Sequence, residues 1–417
     1  MRSRRFVWIV VIIAILLDLY VFQAVKSITQ SAAPRWRTII FNGYWGLSVL
    51  VLIVLCLLPF IRRHLVRLQG YIFFTVLGLY FAKLLASLFL LVDDGRRLVQ
   101  WTIGRVFPHS GTTGAGPGIP PEGIPRSIFL SWLAIGVAAG LFSTLVYGFS
   151  NKYNYRVRRI RLVYDNLPAA FSGLKIVQLS DIHSGSFRDR AAVNRGVDKV
   201  LAENPDLILF TGDLVNDMAV EMTEYKDVFA RLKAPMGVFS TLGNHDYGDY
   251  VWWATPEEKA ANLEQLKQIQ QDMGWRLLMN EHVALERGGQ QIALIGIENW
   301  SAKARFPKYG KMSQAYAGTE KYPFRILMSH DPSHWDAEVR PHYPDIDLTL
   351  AGHTHGMQFG VESPWLKWSP VQYLYKEWAG LYEKDRQKLY VNRGFGFIGY
   401  PGRVGVLPEI TVIELTG

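Results

Sequence analysis

Four long apolar stretches in the first third of the chain constrain its fold more than any other feature. They cover residues 6–25, 39–61, 71–92 and 128–149 of 417. Each approaches or exceeds the roughly 20 residues that a helix needs to cross a bilayer. A soluble helix seldom stays apolar on all sides for that length, and the first stretch is too long for a cleaved signal peptide. The sequence therefore predicts an all-α transmembrane domain of four helices over residues 1–150.

Arginine and lysine flank these stretches unevenly, which indicates an orientation. The N-terminus, the connection after the second stretch and the segment after the fourth are more densely basic than the other loops. Because cytoplasmic loops carry the excess of basic residues, the N-terminus and the C-terminal part are predicted to be cytoplasmic. The net charge of +9 lies mostly beside the stretches, where it suits contact with the lipid bilayer rather than with nucleic acid. The single cysteine, Cys56, excludes an intrachain disulfide.

The longest loop between the stretches covers residues 93–126 and has two parts. Residues 96–107 have the periodicity of an amphipathic helix that lies at the membrane interface. Residues 110–125 are rich in glycine and proline, which predicts an irregular linker. After the fourth stretch, a basic connector at 151–161 leads into a second domain of ordinary soluble composition, predicted over residues 151–417.

Short apolar runs alternate with helical segments in this second domain. This pattern predicts an α/β domain with a large sheet content. The predicted helices cover residues 190–203, 221–232 and 256–273. The predicted strands cover residues 174–180, 207–211, 237–242, 282–285, 291–297, 324–328, 348–351, 388–392 and 409–415.

Polar side chains follow five of these strands and are expected to meet at one sheet edge, where loops converge on the carboxyl ends of strands. They are Asp181, His183, Asp213, Asn244, His245, His330, His353 and His355. Carboxylate, amide and imidazole ligands suit Mn²⁺, Fe²⁺, Zn²⁺ or Mg²⁺. The absence of thiolates argues against a structural zinc site. The donors exceed the needs of one ion, which predicts a pair of divalent ions about 3.5–4 Å apart.

The order of these motifs resembles that of the calcineurin-like metallophosphoesterase superfamily. The motifs are Asp-x-His, Gly-Asp, Gly-Asn-His-Asp, His and Gly-His-x-His, and the likeness covers roughly residues 174–414. The run at 173–183, Asn-Arg-Gly-Phe-Gly at 392–396 and the closing 408–411 are similar to the bacterial membrane-associated phosphodiesterase branch. That branch includes enzymes that split UDP-2,3-diacylglucosamine. The resemblance implies a double β-sandwich flanked by helices and a multi-pass protein of the bacterial inner membrane.

The resemblance also implies a role for each residue of the site. The first ion would be held by Asp181, His183, Asp213 and His355, and the second by Asp213, Asn244, His330 and His353. Mn²⁺ is the expected ion. His245 would protonate the leaving-group oxygen and Asp246 would orient His245. The implied activity is a metal-dependent phosphodiesterase or pyrophosphatase acting on a lipid-linked substrate such as UDP-2,3-diacylglucosamine.

Two other functions stay open at this point. One is a phosphodiesterase or phosphatase for soluble nucleotides that uses the helices only as an anchor. The other is a non-enzymatic membrane sensor or scaffold, although such proteins usually lose ligands that this chain keeps. The two possibilities differ in whether the protein turns over a phosphoester at all. The sequence makes no prediction of the oligomeric state.

Several residues near the motifs have alternative interpretations. His330 is preferred to His334 as the ligand because it ends a predicted strand. Asn392 and Arg393 either approach the substrate phosphate or form a polar turn. The segments at 247–253 and 365–378 are rich in tryptophan and tyrosine. They either pack in the core and loops or form an interfacial or acyl-chain surface, since both residue types favour the lipid–water boundary.

Overall fold

The computed structural model describes residues 2–57, 66–106 and 125–417. It describes side chains from Trp8 onward and, in the third helix, from Gly70 onward. The chain divides into two compact units, Met1–Tyr147 and Gly148–Gly417, where the sequence predicts a boundary at residue 150. The predicted linker at 110–125 lies outside the described residues, except for its last residue.

The N-terminal unit consists of four helices that are long and apolar enough to cross a membrane. They are α1 (Arg2–Ile28), α2 (Pro34–Leu57), α3 (Val66–Val106) and α4 (Ile128–Gly148). The segment predicted as a separate interfacial helix is instead the last part of α3, which continues to Val106 without a break. The prediction of four apolar helices is confirmed.

A buried polar cluster joins the first three helices. Asp18 of α1 is fully buried and forms an ion pair with Lys83 of α3. The Tyr80 hydroxyl donates to Asp18 Oδ2 at 3.2 Å, and Lys83 Nζ donates to Ser48 Oγ on α2 at 3.3 Å. The Tyr44 hydroxyl of α2 donates to the Asp18 carbonyl oxygen at 2.7 Å. Ionisable groups are costly inside a membrane and face the bundle interior, so this cluster fixes which helix faces pack together.

The sandwich domain consists of two six-stranded sheets, a small hairpin and five helices. The strands are β1 (Arg156–Val163), β2 (Leu174–Leu179), β3 (Leu207–Phe210), β4 (Val238–Ser240), β5 (Arg276–Leu277), β6 (Glu281–Arg287), β7 (Gln290–Gly296), β8 (Arg325–Met328), β9 (Leu348–Ala351), β10 (Val361–Glu362), β11 (Lys367–Trp368), β12 (Gly380–Lys384), β13 (Gln387–Val391) and β14 (Glu409–Thr416). The helices are α5 (Arg190–Ala202), α6 (Lys226–Phe229), α7 (Pro256–Asp272), α8 (Met312–Tyr316) and α9 (Arg340–His342).

The two sheets pack face to face, with helices on their outer faces. Successive side chains of a strand point to opposite faces, so the apolar strands are buried on both sides. In β2, Ile176 belongs to the core between the sheets, and Val177 belongs to the core beneath α5 and α7. A third core covers the outer face of the second sheet and includes Trp335. The predicted double β-sandwich flanked by helices is confirmed.

Parallel pairing brings the ends of several strands to one edge in each sheet. The first sheet has the order β1-β14-β2-β3-β4-β5, in which β2, β3 and β4 are parallel. The second has the order β12-β13-β9-β8-β7-β6, in which β7, β8, β9 and β13 are parallel. The predicted polar clusters follow β2, β3, β4, β8 and β9, so both sheets contribute loops to the candidate site.

Two parts of the secondary-structure prediction are wrong. The segment predicted as a basic connector contains β1, which pairs in parallel with β14. The strand was missed because its arginines are typical of a connector. In the structure their outward side chains form ion pairs, such as Arg158 with Glu362 and Arg161 with Glu414. The helix predicted at 221–232 is only a turn of 3₁₀ helix followed by the single turn α6.

The buried pair in the membrane helices leads to a stability prediction. Asp18→Asn or Lys83→Met removes one partner and leaves the other buried without its counter-charge, which we expect to cost about 3–5 kcal/mol. The melting temperature of the detergent-purified full chain should fall in each single variant. It should fall by less than the sum of both effects in the double variant, because neither charge is then left alone. Leu16→Ala, at an exposed position of α1, is the matched control. Single variants that melt like the wild type would contradict this role.

Candidate metal centre and active site

Asp181, His183 and His355 form one group of potential metal ligands. All three are buried, and their donor atoms lie within 4.8 Å of one another. Asp181 and His183 follow β2 of the first sheet, whereas His355 follows β9 of the second. His355 Nε2 lies 3.3 Å from Asp181 Oδ1. The group therefore spans both sheets of the sandwich.

Asp213, His330 and His353 form a second group, also within 4.8 Å of one another. Asp213 Oδ2 lies 3.1 Å from His330 Nε2. Asn244 adds a fourth donor, because its Oδ1 lies 2.7 Å from His353 Nδ1. Asp213 Oδ2 also lies 3.5 Å from Nε2 of His183 in the first group, so this carboxylate stands between the two groups. The structure thus brings all seven sequence-predicted ligands together.

Backbone carbonyls fix the ring orientation of two of these histidines. His183 Nδ1 lies 3.2 Å from the Val215 carbonyl oxygen, and His330 Nδ1 lies 2.7 Å from that of Thr211. Because a carbonyl oxygen only accepts, Nδ1 carries a proton in each ring, and Nε2 is the nitrogen that faces the site. Within the described residues, the buried Nε2 atoms of His183 and His355 have no hydrogen-bond partner. Buried polar atoms are nearly always paired, so these two nitrogens fit metal ligands.

The backbone is strained at most of the predicted ligands. A positive φ is uncommon outside glycine and is found mainly where the surrounding structure enforces it, often at functional sites. The φ angles of 52°, 49°, 62°, 70° and 50° belong to Asp181, His183, Asp213, His353 and His355, respectively. The strand-end loops therefore adopt costly conformations at the positions that bring these donors together.

Close backbone approach explains two of the glycines in the motifs. A Cβ atom on Gly352 would stand 1.9 Å from Ser180 Oγ and 2.2 Å from Asp181 Oδ2. A Cβ atom on Gly243 would stand 2.2 Å from Asp213 Oδ1. Any larger residue would displace a predicted ligand. Gly352 therefore lets a loop of the second sheet meet the loop after β2, and Gly243 lets the loops after β3 and β4 of the first sheet meet.

Burial and the adjacent carboxylates set the protonation of the imidazoles. Burial lowers the pKa of His183 to about 3 and that of His353 to about 4, so both rings are neutral at pH 7. Burial also opposes protonation of His330, but the neighbouring Asp213 carboxylate outweighs it and raises the His330 pKa to about 10. A metal ion needs the neutral ring, so its binding would release the His330 proton.

His245 lies beside the two groups without belonging to either. Its backbone N–H donates to Asp213 Oδ1 at 2.9 Å, and its Nδ1 lies 2.6 Å from the Asn216 carbonyl oxygen. The carbonyl fixes the proton on Nδ1 and leaves Nε2 as the nitrogen that can exchange one. The ring lines the cavity above the ligands. This placement suits a proton donor to a leaving group.

The predicted role of Asp246 needs correction. Its carboxylate does not hold the His245 ring. It accepts hydrogen bonds from four backbone N–H groups, those of Asp213 (2.9 Å), Leu214 (2.8 Å), Val215 (3.3 Å) and Gly243 (2.8 Å). Asp246 points into the strand-end loops because these N–H groups have no ladder partner there. It therefore holds the loops that carry Asp213 and His245, and the Asn216 carbonyl orients the ring.

The structure also bears on two alternatives left open by the sequence, namely His330 or His334 as the ligand and the role of Asn392 and Arg393. His334 lies outside both groups, with Nδ1 2.9 Å from Ser329 Oγ, whereas His330 lies in the second group. Asn392 Nδ2 donates to Thr411 Oγ1 at 2.8 Å, which ties it to β14. Arg393 is buried in ion pairs with two glutamates. Asn392 and Arg393 form a polar turn.

Sequence reasoning missed a pair of residues behind His353. The Tyr375 hydroxyl lies 2.8 Å from His353 Nε2 and donates to Asp331 Oδ2 at 3.2 Å. The hydroxyl therefore accepts from Nε2–H, which leaves His353 Nδ1 as the nitrogen that faces the second ligand group. Asp331 directly follows the ligand His330, but nothing in the sequence pairs it with a tyrosine in an aromatic-rich segment.

A cavity of about 360 Å³ lies above the two groups. Besides predicted site residues it is lined by Tyr250, from the aromatic-rich segment at 247–253, and by Arg305, Phe306 and Ile398, which sequence reasoning did not single out. Tyr250 accepts a hydrogen bond from Asn244 Nδ2 at 2.9 Å, which aims the Asn244 Oδ1 at the second group. Phe306 stands edge-on to the His353 ring, with centroids 4.8 Å apart. Arg305 is exposed and adds a positive charge to the wall.

Both units of the chain match known families. The family described as "Calcineurin-like phosphoesterase" matches residues 174–357. The family described as "Probable Calcineurin-like phosphoesterase, transmembrane domain" matches residues 3–152. Together with the metal-ligand groups, these matches show that the chain contains a calcineurin-like metallophosphoesterase domain joined to a four-helix transmembrane domain. The predicted membership of a metal-dependent phosphohydrolase family is thereby confirmed.

Three relatives illustrate the range of proteins that the chain resembles. A "Transmembrane protein with metallophosphoesterase domain" from Danio rerio is 30% identical over 65% of this chain, and the alignment spans 60% of that protein. The "UDP-2,3-diacylglucosamine pyrophosphatase LpxG" of Chlamydia trachomatis serovar D is 26% identical over 64% of this chain and 93% of that protein. The "Phosphodiesterase YaeI" of Escherichia coli K12 is 29% identical over 58% and 82%, respectively.

The contact behind His353 leads to a prediction about metal binding. Tyr375→Phe and Asp331→Asn each remove a partner that fixes the His353 ring, and losses of this kind weaken metal binding about 10–100-fold. Calorimetric titration of the metal-free full chain with Mn²⁺ should show one of two binding events weakened to that extent. Tyr373→Phe, an exposed tyrosine two residues away, is the matched control. Two wild-type binding events in both variants would show that this contact does not support the metal site.

Proposed function

We propose that the sandwich domain hydrolyses phosphodiester or pyrophosphate bonds with two divalent metal ions. The observation that carries this proposal is the pair of buried ligand groups separated by the single carboxylate of Asp213. Asp181, His183 and His355 would hold one ion, Asn244, His330 and His353 the other, and Asp213 would bridge them. Mn²⁺ is the expected ion, and Fe²⁺, Zn²⁺ and Mg²⁺ suit the same donors.

The chain's own residues supply the remaining chemistry. When bound, the ions supply Lewis acidity toward phosphoryl oxygens and lower the pKa of bound water. His245 is placed to give a proton from Nε2 to the departing oxygen, while the Asn216 carbonyl holds its other nitrogen. Phe306 and Ile398 line the cavity wall and limit the access of bulk water to the reacting groups. Asp246 keeps the loop of His245 in register with Asp213.

A lipid-linked substrate such as UDP-2,3-diacylglucosamine is the more specific part of the proposal. The membrane helices favour a substrate that resides in a bilayer, and the likeness to the chlamydial pyrophosphatase supports the same class. Arg305 gives the cavity wall a cation for a second anionic group, such as the phosphate that is not attacked. We propose that this activity lies on the cytoplasmic side of a bacterial inner membrane, and the distribution of basic residues supports the cytoplasmic side.

Hydrolysis of soluble nucleotides by a phosphodiesterase or phosphatase is the second candidate, and the likeness to the Escherichia coli phosphodiesterase supports phosphodiester hydrolysis of either kind of substrate. With a soluble substrate the helices would only anchor the domain. A non-enzymatic role is disfavoured, because the structure retains both ligand groups and a histidine placed for proton transfer.

One assay separates these functions. The detergent-purified full chain with Mn²⁺ should hydrolyse UDP-2,3-diacylglucosamine much faster than a simple aryl phosphodiester. His245→Ala should lower kcat by about 10²–10⁴-fold, the usual contribution of a general acid. His342→Ala, which changes an exposed histidine outside the cavity, should leave the rate unchanged.

The outcomes differ in what they contradict. Hydrolysis of the aryl ester alone would remove the lipid substrate and keep the phosphodiesterase. Two equivalents of bound Mn²⁺ without hydrolysis of either compound would favour the sensor or scaffold. A His245→Ala variant with full activity would remove His245 from the reaction.

A further inference from the structure

The 361–378 segment exposes large apolar side chains next to the candidate site. It contains the hairpin of β10 and β11, followed by a 3₁₀ turn at Pro370–Tyr373. Trp365 at the hairpin tip is 93% exposed and Tyr373 is 75% exposed. Leu366 and Leu374 beside them are also more than half exposed. The aromatic-rich segment at 365–378 therefore combines both sequence interpretations. Tyr375 and Trp378 are buried, whereas Trp365 and Tyr373 are exposed.

The exposed side chains are presented by an ordered support. The Ser363 N–H donates to the Leu366 carbonyl oxygen at 2.9 Å and closes the hairpin tip. Trp368 Nε1 donates to the Tyr373 hydroxyl at 3.4 Å and connects the hairpin to the 3₁₀ turn. Val371, Tyr375 and Trp378 form a small buried core beneath them, together with Ala379 and Val406. The fold thus buries one side of the segment and leaves the other side, which is apolar, in contact with solvent.

The charges of the segment suit an anionic surface. Its two carboxylates belong to Glu362 and Glu377, and both side chains are mostly buried and ion-paired. Lys376 lies 4.0 Å from Glu377, but its side chain is 75% exposed whereas that of Glu377 is 7% exposed. An apolar tip with an exposed cation and no exposed carboxylate has the composition of an interfacial membrane contact, since anionic lipid attracts basic residues near the surface.

We propose that Trp365, Leu366, Tyr373 and Leu374 form a lipid-docking surface that inserts into the lipid–water boundary of an anionic bilayer. Tryptophan and tyrosine favour that boundary, and interfacial elements bury their apolar faces about 5–10 Å into it. The same segment reaches the candidate site from beneath this surface, because the hydroxyl of the buried Tyr375 lies 2.8 Å from His353 Nε2. Docking would therefore bring lipid close to the cavity. The surface does not depend on which phosphoester is hydrolysed.

Quenching by spin-labelled lipid tests this surface in the full chain. In a Cys56→Ser background, Leu366→Cys or Leu374→Cys is labelled with bimane and reconstituted as one chain per nanodisc of phosphatidylcholine and phosphatidylglycerol. Some of the phosphatidylcholine carries a nitroxide either near the headgroup or at the chain end. Gln271→Cys, at an exposed position on the polar helix α7, is the matched control.

We expect several-fold stronger quenching at positions 366 and 374 than at 271, and stronger quenching by the nitroxide near the headgroup. Leu366 and Leu374 labels quenched no more than the control would overturn the proposal. Labels that become shielded from water but are not quenched by either lipid would also overturn it, because protein would then cover the surface. Hydrolysis measured on the same samples is independent of the quenching. A failure of the proposed function is therefore distinguishable from a failure of the lipid-docking surface.

Discussion

The candidate site depends on the placement of one buried carboxylate, that of Asp213. Its Oδ2 lies near imidazole nitrogens of both ligand groups, and its Oδ1 accepts the backbone N–H of His245. A buried charge is costly unless it is paired and hydrogen-bonded. The sandwich meets this requirement by bringing five strand ends from two sheets to the same place. The left-handed backbone at Asp213 and the absence of a side chain on Gly243 both follow from that crowding.

Asp246, beside the predicted ligands, is a second buried carboxylate that needs hydrogen bonds. Two carboxylates as close as those of Asp246 and Asp213 repel each other. The backbone N–H groups of the strand-end loops, which donate to Asp246, offset this repulsion. The loop that carries His245 is held in this way without a contact to its ring. The sequence motif places His245 beside Asp246, but adjacency in the chain says little about which side chain orients which, because neighbouring residues of a turn point in different directions.

The sequence predicted the parts of the structure that depend on local patterns. Apolar runs ending in polar residues predicted most strands and the polar residues that meet at the candidate site, because strand ends meet at a sheet edge wherever the sheet is parallel. The division of these residues into predicted ligands and a proton donor came from the family resemblance. It failed where the outcome depends on distant partners. The arginines of β1 indicate a connector until Glu362 and Glu414, far along the chain, are seen to pair with them. The contact between Tyr375 and His353 likewise joins two residues whose spacing in the sequence matches no motif.

The buried polar cluster of the membrane helices and the candidate metal centre differ in the hydrogen bonds of their polar atoms. Asp18 and Lys83 lie in an apolar bundle, yet they find partners in one another and in Tyr80 and Ser48. Such a cluster is complete and specifies how helices pack. His183 Nε2 is just as buried but has no hydrogen-bond partner in the described part of the chain, although its ring is held by a carbonyl on the other side. The fold therefore orients His183 Nε2 but gives it no hydrogen-bond partner, as expected of a nitrogen that binds a group from outside the chain.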